Sequence, residues 1–254
     1  MVSATQTRPL VLSSATAASH HPARGQRTPS LRRRSVLTTL GLSSAAALGF
    51  AAAGLVAAGA ARAMSTPDAG LLTRRGMAKF VKGDVEGSLE DFDTVLAIAP
   101  QQRPYLWQRG LSLYYVERYA DGAKQFRDDV AVNPNDTEES IWALLCEAQL
   151  EGFAAAQAKM LVVGRDSRPV MRAAYELFQG VGSLEQLHAA AAGGPHDAFY
   201  GGLYEGLYAE ARGDAAAAKA AILAAVATPY AQGSGDYMAA LARVHAQRRG
   251  WLAA

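Results

Sequence analysis

The 34 residues from Leu72 to Tyr105, LTRRGMAKFVKGDVEGSLEDFDTVLAIAPQQRPY, run directly into Leu106 to Glu139, LWQRGLSLYYVERYADGAKQFRDDVAVNPNDTEE. Placed one under the other without a gap, Leu72 meets Leu106, Arg75 meets Arg109, Gly76 meets Gly110, Phe92 meets Phe126 and Pro100 meets Pro134. Ser88 and Gly122 are both small. Each match has a physical role in a pair of packed helices. Gly76 and Gly110 suit the point where the two helices of a repeat cross, since a side chain there would push them apart. Ser88 and Gly122 are the expected small counterparts on the second helix. Phe92 and Phe126 are expected to fill the space between one helix pair and the next. Pro100 and Pro134 follow the second helix and end it, because proline cannot continue the hydrogen-bond ladder. Gly83-Asp84 supplies the turn and an acidic N-cap for the second helix.

A third copy keeps the same mutual offsets near the C-terminus: Gly206, Gly213-Asp214, Ala218, Ile222 and Ala225, with Pro229 beyond. Between the copies, Ile141, Trp142, Leu144 and Leu145 mark the first helix of a less regular pair, with Ala154 to Val163 as its partner up to Gly164. Pro169 to Ala192 forms a further hairpin, with Pro169 at a helix start, Gly180-Val181-Gly182-Ser183 as turn and Ser183 as cap. Its first helix carries an apolar face of Val170, Ala173, Ala174, Leu177 and Phe178. A last helix, Asp236 to Arg249, is expected as a polar-faced cap, as terminal repeats require. Residues 64–254 are thus expected to be all-α: about five helix pairs plus a capping helix, about eleven helices in all, with no strand. A 34-residue helix-turn-helix period is the tetratricopeptide (TPR) signature, and a helical-hairpin solenoid is the expected architecture.

Charge divides the chain sharply. The 254 residues carry a net charge of +2, but no Asp or Glu precedes Asp68. Residues 1–67 hold seven arginines and no lysine, so 18 basic residues face all 23 acidic ones in the remainder, a net of −5. The basic balance belongs to the N-terminal segment, and nucleic-acid binding by the folded part loses its compositional support. Residues 1–31 are rich in Ser, Thr, Ala and Pro with Arg and no acid, the composition of an organellar transit peptide. Arg32-Arg33-Arg34-Ser35-Val36-Leu37 then opens an uncharged stretch from Ser35 to Ala61, ending at Ala61-Arg62-Ala63. Basic n-region, apolar h-region and A-x-A site make a signal peptide, 32–63, cleaved after Ala63. The same 27 residues are long enough to span a membrane, so an uncleaved anchor is the competing reading.

The paired arginines before Ser-Val-Leu resemble a twin-arginine signal, and transit peptide followed by signal peptide resembles the presequences of thylakoid-lumen proteins of plants and algae. Glu138-Glu139-Ser140-Ile141-Trp142, Asp166-Ser167-Arg168-Pro169-Val170-Met171-Arg172, and the tail from Phe199-Tyr200 to Asp236-Tyr237-Met238 resemble chloroplast TPR proteins. Phe199-Tyr200-Gly201-Gly202-Leu203-Tyr204 with Arg212-Gly213-Asp214 resembles bacterial NlpI-type periplasmic TPR lipoproteins. Those relatives are lipid-anchored adaptors that bring proteases to substrates and tend to dimerise. This chain lacks the anchoring cysteine. The resemblance covers roughly residues 70 to 250 and implies no catalytic residues.

Residue chemistry points the same way. His188, His196 and His245 stand far apart, with no second His or Cys at metal spacing. In His196-Asp197 the Asp is expected as a helix N-cap and the His as solvated. Cys146 is the only cysteine and is expected as a buried core thiol. Gly233-Ser234-Gly235 lacks the setting of a nucleophile elbow, and Gly180 and Gly182 lack that of a nucleotide loop. The acid pairs Asp128-Asp129 and Glu138-Glu139 diverge by about 100° on a helix, so they are expected as a solvated face and a helix N-terminus. No enzyme activity, cofactor or metal is expected.

The family's groove offsets, carried onto the first two repeats, give Thr73, Met77, Phe80 and Val81, then Trp107, Leu111, Tyr114 and Tyr115. Tyr200, Leu203, Leu207 and Glu210 take the analogous face of the C-terminal repeat. The protein-binding face is expected at Met77, Phe80, Trp107, Leu111, Tyr114, Tyr115, Tyr200, Leu203 and Leu207. The alternative is that this aromatic stripe is filled by the protein's own segments or by a second subunit. The Lys/Asn set that clamps a carboxylate in chaperone-binding TPRs is absent, since Thr73 and Met77 hold those places. The expected protein is a scaffold of the thylakoid lumen, meeting the membrane only during import. Its expected partners are photosystem subunits, assembly factors or a lumenal protease, with a homodimer possible and nucleic acid excluded.

Overall fold

The computed structural model describes residues 68–253. The leader segments 1–31 and 32–63 and the cleavage point after Ala63 lie outside the described residues. Among these residues there are twelve α-helices, one 3-10 helix and no strand. The helices pack in sequential pairs. The first repeat is α1 (Ala69–Val81) and α2 (Val85–Ile98), and the second is α3 (Trp107–Tyr115) and α4 (Tyr119–Val132). α5 (Thr137–Glu151) pairs with α6 (Phe153–Ala158), α7 (Pro169–Gln179) with α8 (Leu184–Ala191), and α9 (Pro195–Ala211) with α10 (Ala215–Val226). The short α11 (Pro229–Gly233) leads into α12 (Tyr237–Arg248).

The two elements beyond the expected eleven are the 3-10 helix Pro100–Tyr105 and α11. Each begins on a proline. A proline that ends one helix has the φ of a first helical position, so it also starts the next short turn. The caps follow the sequence. Asp84 accepts from Gly87 N at 3.0 Å and Asp214 from Ala217 N at 3.0 Å. Ser183 and Gln186 form a reciprocal capping box. Gly83 and Gly213 turn with φ of 84° and 86°. The second repeat has Glu117 there, at φ 62°, the one non-glycine residue with positive φ among those described.

The crossing of the helices refines two expectations. A Cβ built on Gly110 would lie 2.5 Å from the Phe126 ring, one on Gly76 2.9 Å from Phe92, and one on Gly206 2.6 Å from Ile222. The large side chain of each second helix therefore lies on the glycine of its own repeat, and Phe126 also stacks on Trp142 of the next pair, as expected, with ring centroids 6.2 Å apart. The small residues work between repeats. Ser88 Oγ is 2.8 Å from Ser112 Oγ on α3, and a Cβ on Gly122 would sit 2.9 Å from Cys146 Sγ on α5. Both contacts join residues 24 apart, so the repeat register continues into α5.

There the pattern changes. Leu144 occupies the place of Gly76 and Gly110 in the 34-residue register. α6 stops at Ala158 rather than continuing to Val163. The chain that follows is held by side chains: Ser140 Oγ and Tyr175 Oη both donate to the Leu161 carbonyl, at 2.7 and 3.1 Å.

The last helix is not the expected polar-faced cap. Met238, Ala239, Leu241, Ala242, Val244, His245 and Ala246 of α12 are all buried. Its alanines let neighbours approach closely, while Arg243, Gln247 and Arg248 keep one side of it polar. α12 packs on α1 and α10, so the first and last described helices meet. Arg248 closes the junction with a bidentate pair to Glu86 of α2, at 2.9 and 2.5 Å.

Candidate functional site

The aromatic stripe of the first helices is where α12 lies. The Phe80 ring stacks on Tyr237 with centroids 5.3 Å apart, and Trp107 meets the same ring edge-on at 5.3 Å. Tyr115 Oη lies 3.1 Å from His245 Nδ1. Tyr114 packs edge-on against Trp142 of α5 at 5.3 Å. Of the expected binding residues, Phe80, Leu111, Tyr114, Tyr115, Tyr200, Leu203 and Leu207 are buried, while Met77 and Trp107 are half-buried. Of the two alternatives in the sequence, an open groove and a self-filled one, the chain adopts the second. An exposed aromatic stripe this long is costly in water, and the chain carries a small-residue helix that covers it.

Beneath α12 lies a buried polar chain. His245 is wholly buried. Its Nε2 is 2.7 Å from Glu210 Oε2, off the line of a well-directed hydrogen bond. The other oxygen of Glu210 pairs with Arg249. Burial pushes the His245 pKa down against the opposing pull of Glu210. Burial alone would raise Glu210, but the close contact with the His245 imidazole and the Arg249 guanidinium hold it below the usual carboxylate range.

What remains open is a cavity of about 270 Å³ at one end of the covered stripe. Trp107, Leu111 and Phe126 come from the second repeat, Trp142 from α5, Tyr200 from α9, and Tyr237 and Met238 from α12. Four carboxylates join these walls: Asp136, Glu138, Glu139 and Asp236. Helix starts position them. Asp136 caps α5, accepting from Glu138 N and Glu139 N at 3.0 and 3.4 Å. Asp236 caps α12, accepting from Met238 N at 2.8 Å, and also receives Tyr200 Oη at 3.0 Å and Tyr230 Oη at 2.7 Å.

The four carboxylates are not equally satisfied. Glu138 has Arg168 Nη1 at 2.7 Å and Tyr204 Oη at 3.0 Å. Glu139 is only 8% exposed, and its Oε2 has no hydrogen-bond partner. Burial, then the neighbouring Asp136, push its carboxyl well above the usual range. Trp142 is 2% exposed and its Nε1 donor is likewise unpartnered. The arrangement gathers negative charge and aromatic rings around one recess.

Adjacent acids such as Glu138 and Glu139 do not reveal this set. Asp136 and Glu139 are three apart, which places them side by side at a helix start. That spacing is visible in the sequence, but Asp236 arrives from 100 residues away. The expectation of a solvated pair also fails for Asp129, which is buried with Oδ2 unpartnered and is raised by burial to about 8. Glu138 and Glu139 do open a helix, as expected, but from inside the fold.

The remaining candidates are placed as follows. Cys146 is buried where α4 crosses α5, and burial pushes its thiol well up. Asp197 is not the N-cap of α9, a place held by Gly194; its carboxylate lies 2.8 Å from His196 Nδ1 instead. His188 faces Glu205 at 3.0 Å. Among the described residues, no group of three or more His, Cys, Asp or Glu is placed to hold a metal ion. No described helix is long and apolar enough to cross a membrane. No protein-family model matches the chain, and no curated protein matches it.

Proposed function

We propose that this chain is a TPR-type interaction scaffold without catalytic activity, working in the thylakoid lumen on the assembly, stability or turnover of photosynthetic membrane complexes. The observation that carries the TPR reading is the recurrence of one crossing: glycine under the large side chain of its partner helix at Gly76, Gly110 and Gly206. Helix pairs stacked in this way present surface for protein partners rather than a closed reaction chamber. The lumenal address rests on the composition of residues 1–63, and the role in membrane complexes on that address. The partner-facing element in this reading is the acidic, aromatic recess, because the first-helix stripe is already covered.

The test is crosslinked capture with a tagged full chain expressed in a chloroplast-bearing host, followed by mass spectrometry. The expected result is lumenal location, a mature N-terminus near Met64, and a small set of membrane-complex subunits enriched over a tagged control repeat protein. A location outside the plastid, or no enrichment, overturns it. A co-purifying protease, with client half-life lengthened on deletion of the chain, would make the scaffold a protease adaptor.

A further inference from the structure

His245 is the titratable side chain of α12 that lies wholly inside the protein. Its two nitrogens meet different groups. Glu210 Oε2, 2.7 Å from Nε2, is an acceptor only, so Nε2 carries the hydrogen of the neutral ring. Nδ1 then accepts from Tyr115 Oη at 3.1 Å, and it is that hydroxyl's one hydrogen-bond partner among the described residues. A second proton on the ring goes to Nδ1 and reverses this bond. The phenol must then accept, and its own O–H, set among the rings of Phe80, Tyr114 and Trp142, is left without a partner. The imidazolium also brings a second cation to Glu210, which Arg249 already holds. The titratable and charged groups around His245 are Tyr114 and Tyr115 of α3, Tyr119 of α4, Glu210 of α9, and Tyr237 and Arg249 at the two ends of α12. α1 and α10, which also pack on α12, add no charged group to its surroundings.

We propose that α12 is a strap whose far end is loosened by acid: a protonated His245 gives up its bond from Tyr115, and the turn from Val244 to Arg249 leaves the aromatic stripe while the helix pairs stay folded. The near end stays tied, because Asp236 caps the helix and receives Tyr200 Oη at 3.0 Å and Tyr230 Oη at 2.7 Å. The far end is otherwise held by small buried side chains and by the solvent-facing pair of Arg248 with Glu86, a kind of contact that adds little in water. Once loosened, His245 takes its proton at about the ordinary value of 6.5, whereas burial keeps the packed ring neutral below it. The loosened state therefore binds more protons, and attachment weakens as pH falls through about 6.5. Glu86, held low by the hydrogen bond from Arg248, and Glu210, also low, stay ionised there, so the other ties do not change. Asp129 and Glu139 respond with the opposite sign: burial keeps a proton on each in the native chain, so acid strengthens α4 and α5. Opposite responses in two parts of one fold make the release local. The loosened turn uncovers Tyr115 on the face that the repeat register assigns to partners.

The experiment follows amide hydrogen exchange of the full chain at about pH 7.5 and about pH 5, as protection factors corrected for the intrinsic exchange rate. The expected result is about a tenfold loss of protection at Val244 to Arg249 on acidification, with no loss at Ile141 to Leu145 of α5. His245→Gln keeps an amide that donates to Glu210 but does not titrate, and is expected to reduce the loss to below about twofold. Arg249→Met leaves Glu210 to His245 alone, which lets the imidazolium stay in place, and is expected to shrink the loss as well. This second variant decides the matter if the glutamine variant does not fold. His188→Gln combined with His196→Gln, at the two histidines outside the core, is expected to keep the full loss of the parent. Unchanged protection at Val244 to Arg249, an equal loss in α5 and α12, or the parent's full loss persisting in both His245→Gln and Arg249→Met overturns the proposal. So does abolition of the loss in the His188, His196 double variant. The measurement is made on the chain alone, so its failure leaves the scaffold reading to be judged by capture of partners.

Discussion

Tyr115 Oη and His245 Nδ1 lie 3.1 Å apart, although 130 residues separate them in the chain. The contact joins the first helix of the second repeat to the last helix of the protein, deep beneath its surface. It fixes α12 in register on the stripe. Tyr115→Phe leaves the imidazole nitrogen without this partner and is expected to cost about 1–3 kcal/mol in urea unfolding. Tyr105→Phe, an exposed tyrosine, is expected to stay within about 0.5 kcal/mol of the parent. Equal stability of the two variants would show that α12 is held by apolar packing alone.

Trp107→Ala combined with Tyr114→Ala separates a binding stripe from a structural one. Tyr114 is buried against Trp142, Tyr115 and Tyr119. Truncating a buried aromatic costs about 3–5 kcal/mol. The double variant is therefore expected to lose cooperative unfolding, or to unfold at much lower denaturant, as followed by circular dichroism. A variant that kept the parent's midpoint would return these residues to a role in partner capture.

The glycine crossing is testable by a double-mutant cycle. Gly110→Ala puts a methyl group against the Phe126 ring and is expected to cost about 1–3 kcal/mol. Phe126→Leu alone also destabilises, by removing buried apolar surface. Combined, the two are expected to cost less than their sum, with a coupling above about 0.5 kcal/mol. Strict additivity would mean that the ring and the glycine do not share one space.

Asp129 makes stability depend on pH with a definite sign. Burial raises its pKa to about 8, against about 3.9 in an unfolded chain. Between those values the native chain holds a proton that the unfolded chain has lost, so stability falls as pH rises through the window. Glu139, also raised, adds to the same trend. Asp91, lowered by its hydrogen bonds from Arg75, acts oppositely and weakens the fold on acidification. Asp129→Asn cannot ionise. It is expected to be more stable than the parent near pH 8, by on the order of a few kcal/mol, and close to it near pH 4. Parallel denaturation midpoints for the two proteins across this range would refute the assignment.

Much of the fold was legible because it is written in local chemistry. Asp84, Ser183 and Asp214 cap the helices their positions imply. Pro169 starts α7, Gly180 ends it, and Asp236 starts the last helix. A cap or a stop is decided within one turn of chain, so spacing alone identifies it. Spacing alone did not reveal the early end of α6 or the burial of α12, and the latter is set by helices far away in the chain.

The site divides along the same line. The amino-acid sequence by itself determined the period of 34, the glycine at each crossing, the helix starts, and the aromatic character of the first-helix stripe. Those depend on backbone geometry and on residues at fixed short separations. Only the tertiary structure decided which face that stripe meets, because covering it required a helix more than 100 residues away. The same step brought Asp236 and Tyr237 beside Asp136, Glu139 and Trp142, and so made one acidic, ring-lined recess from residues that the chain itself keeps far apart.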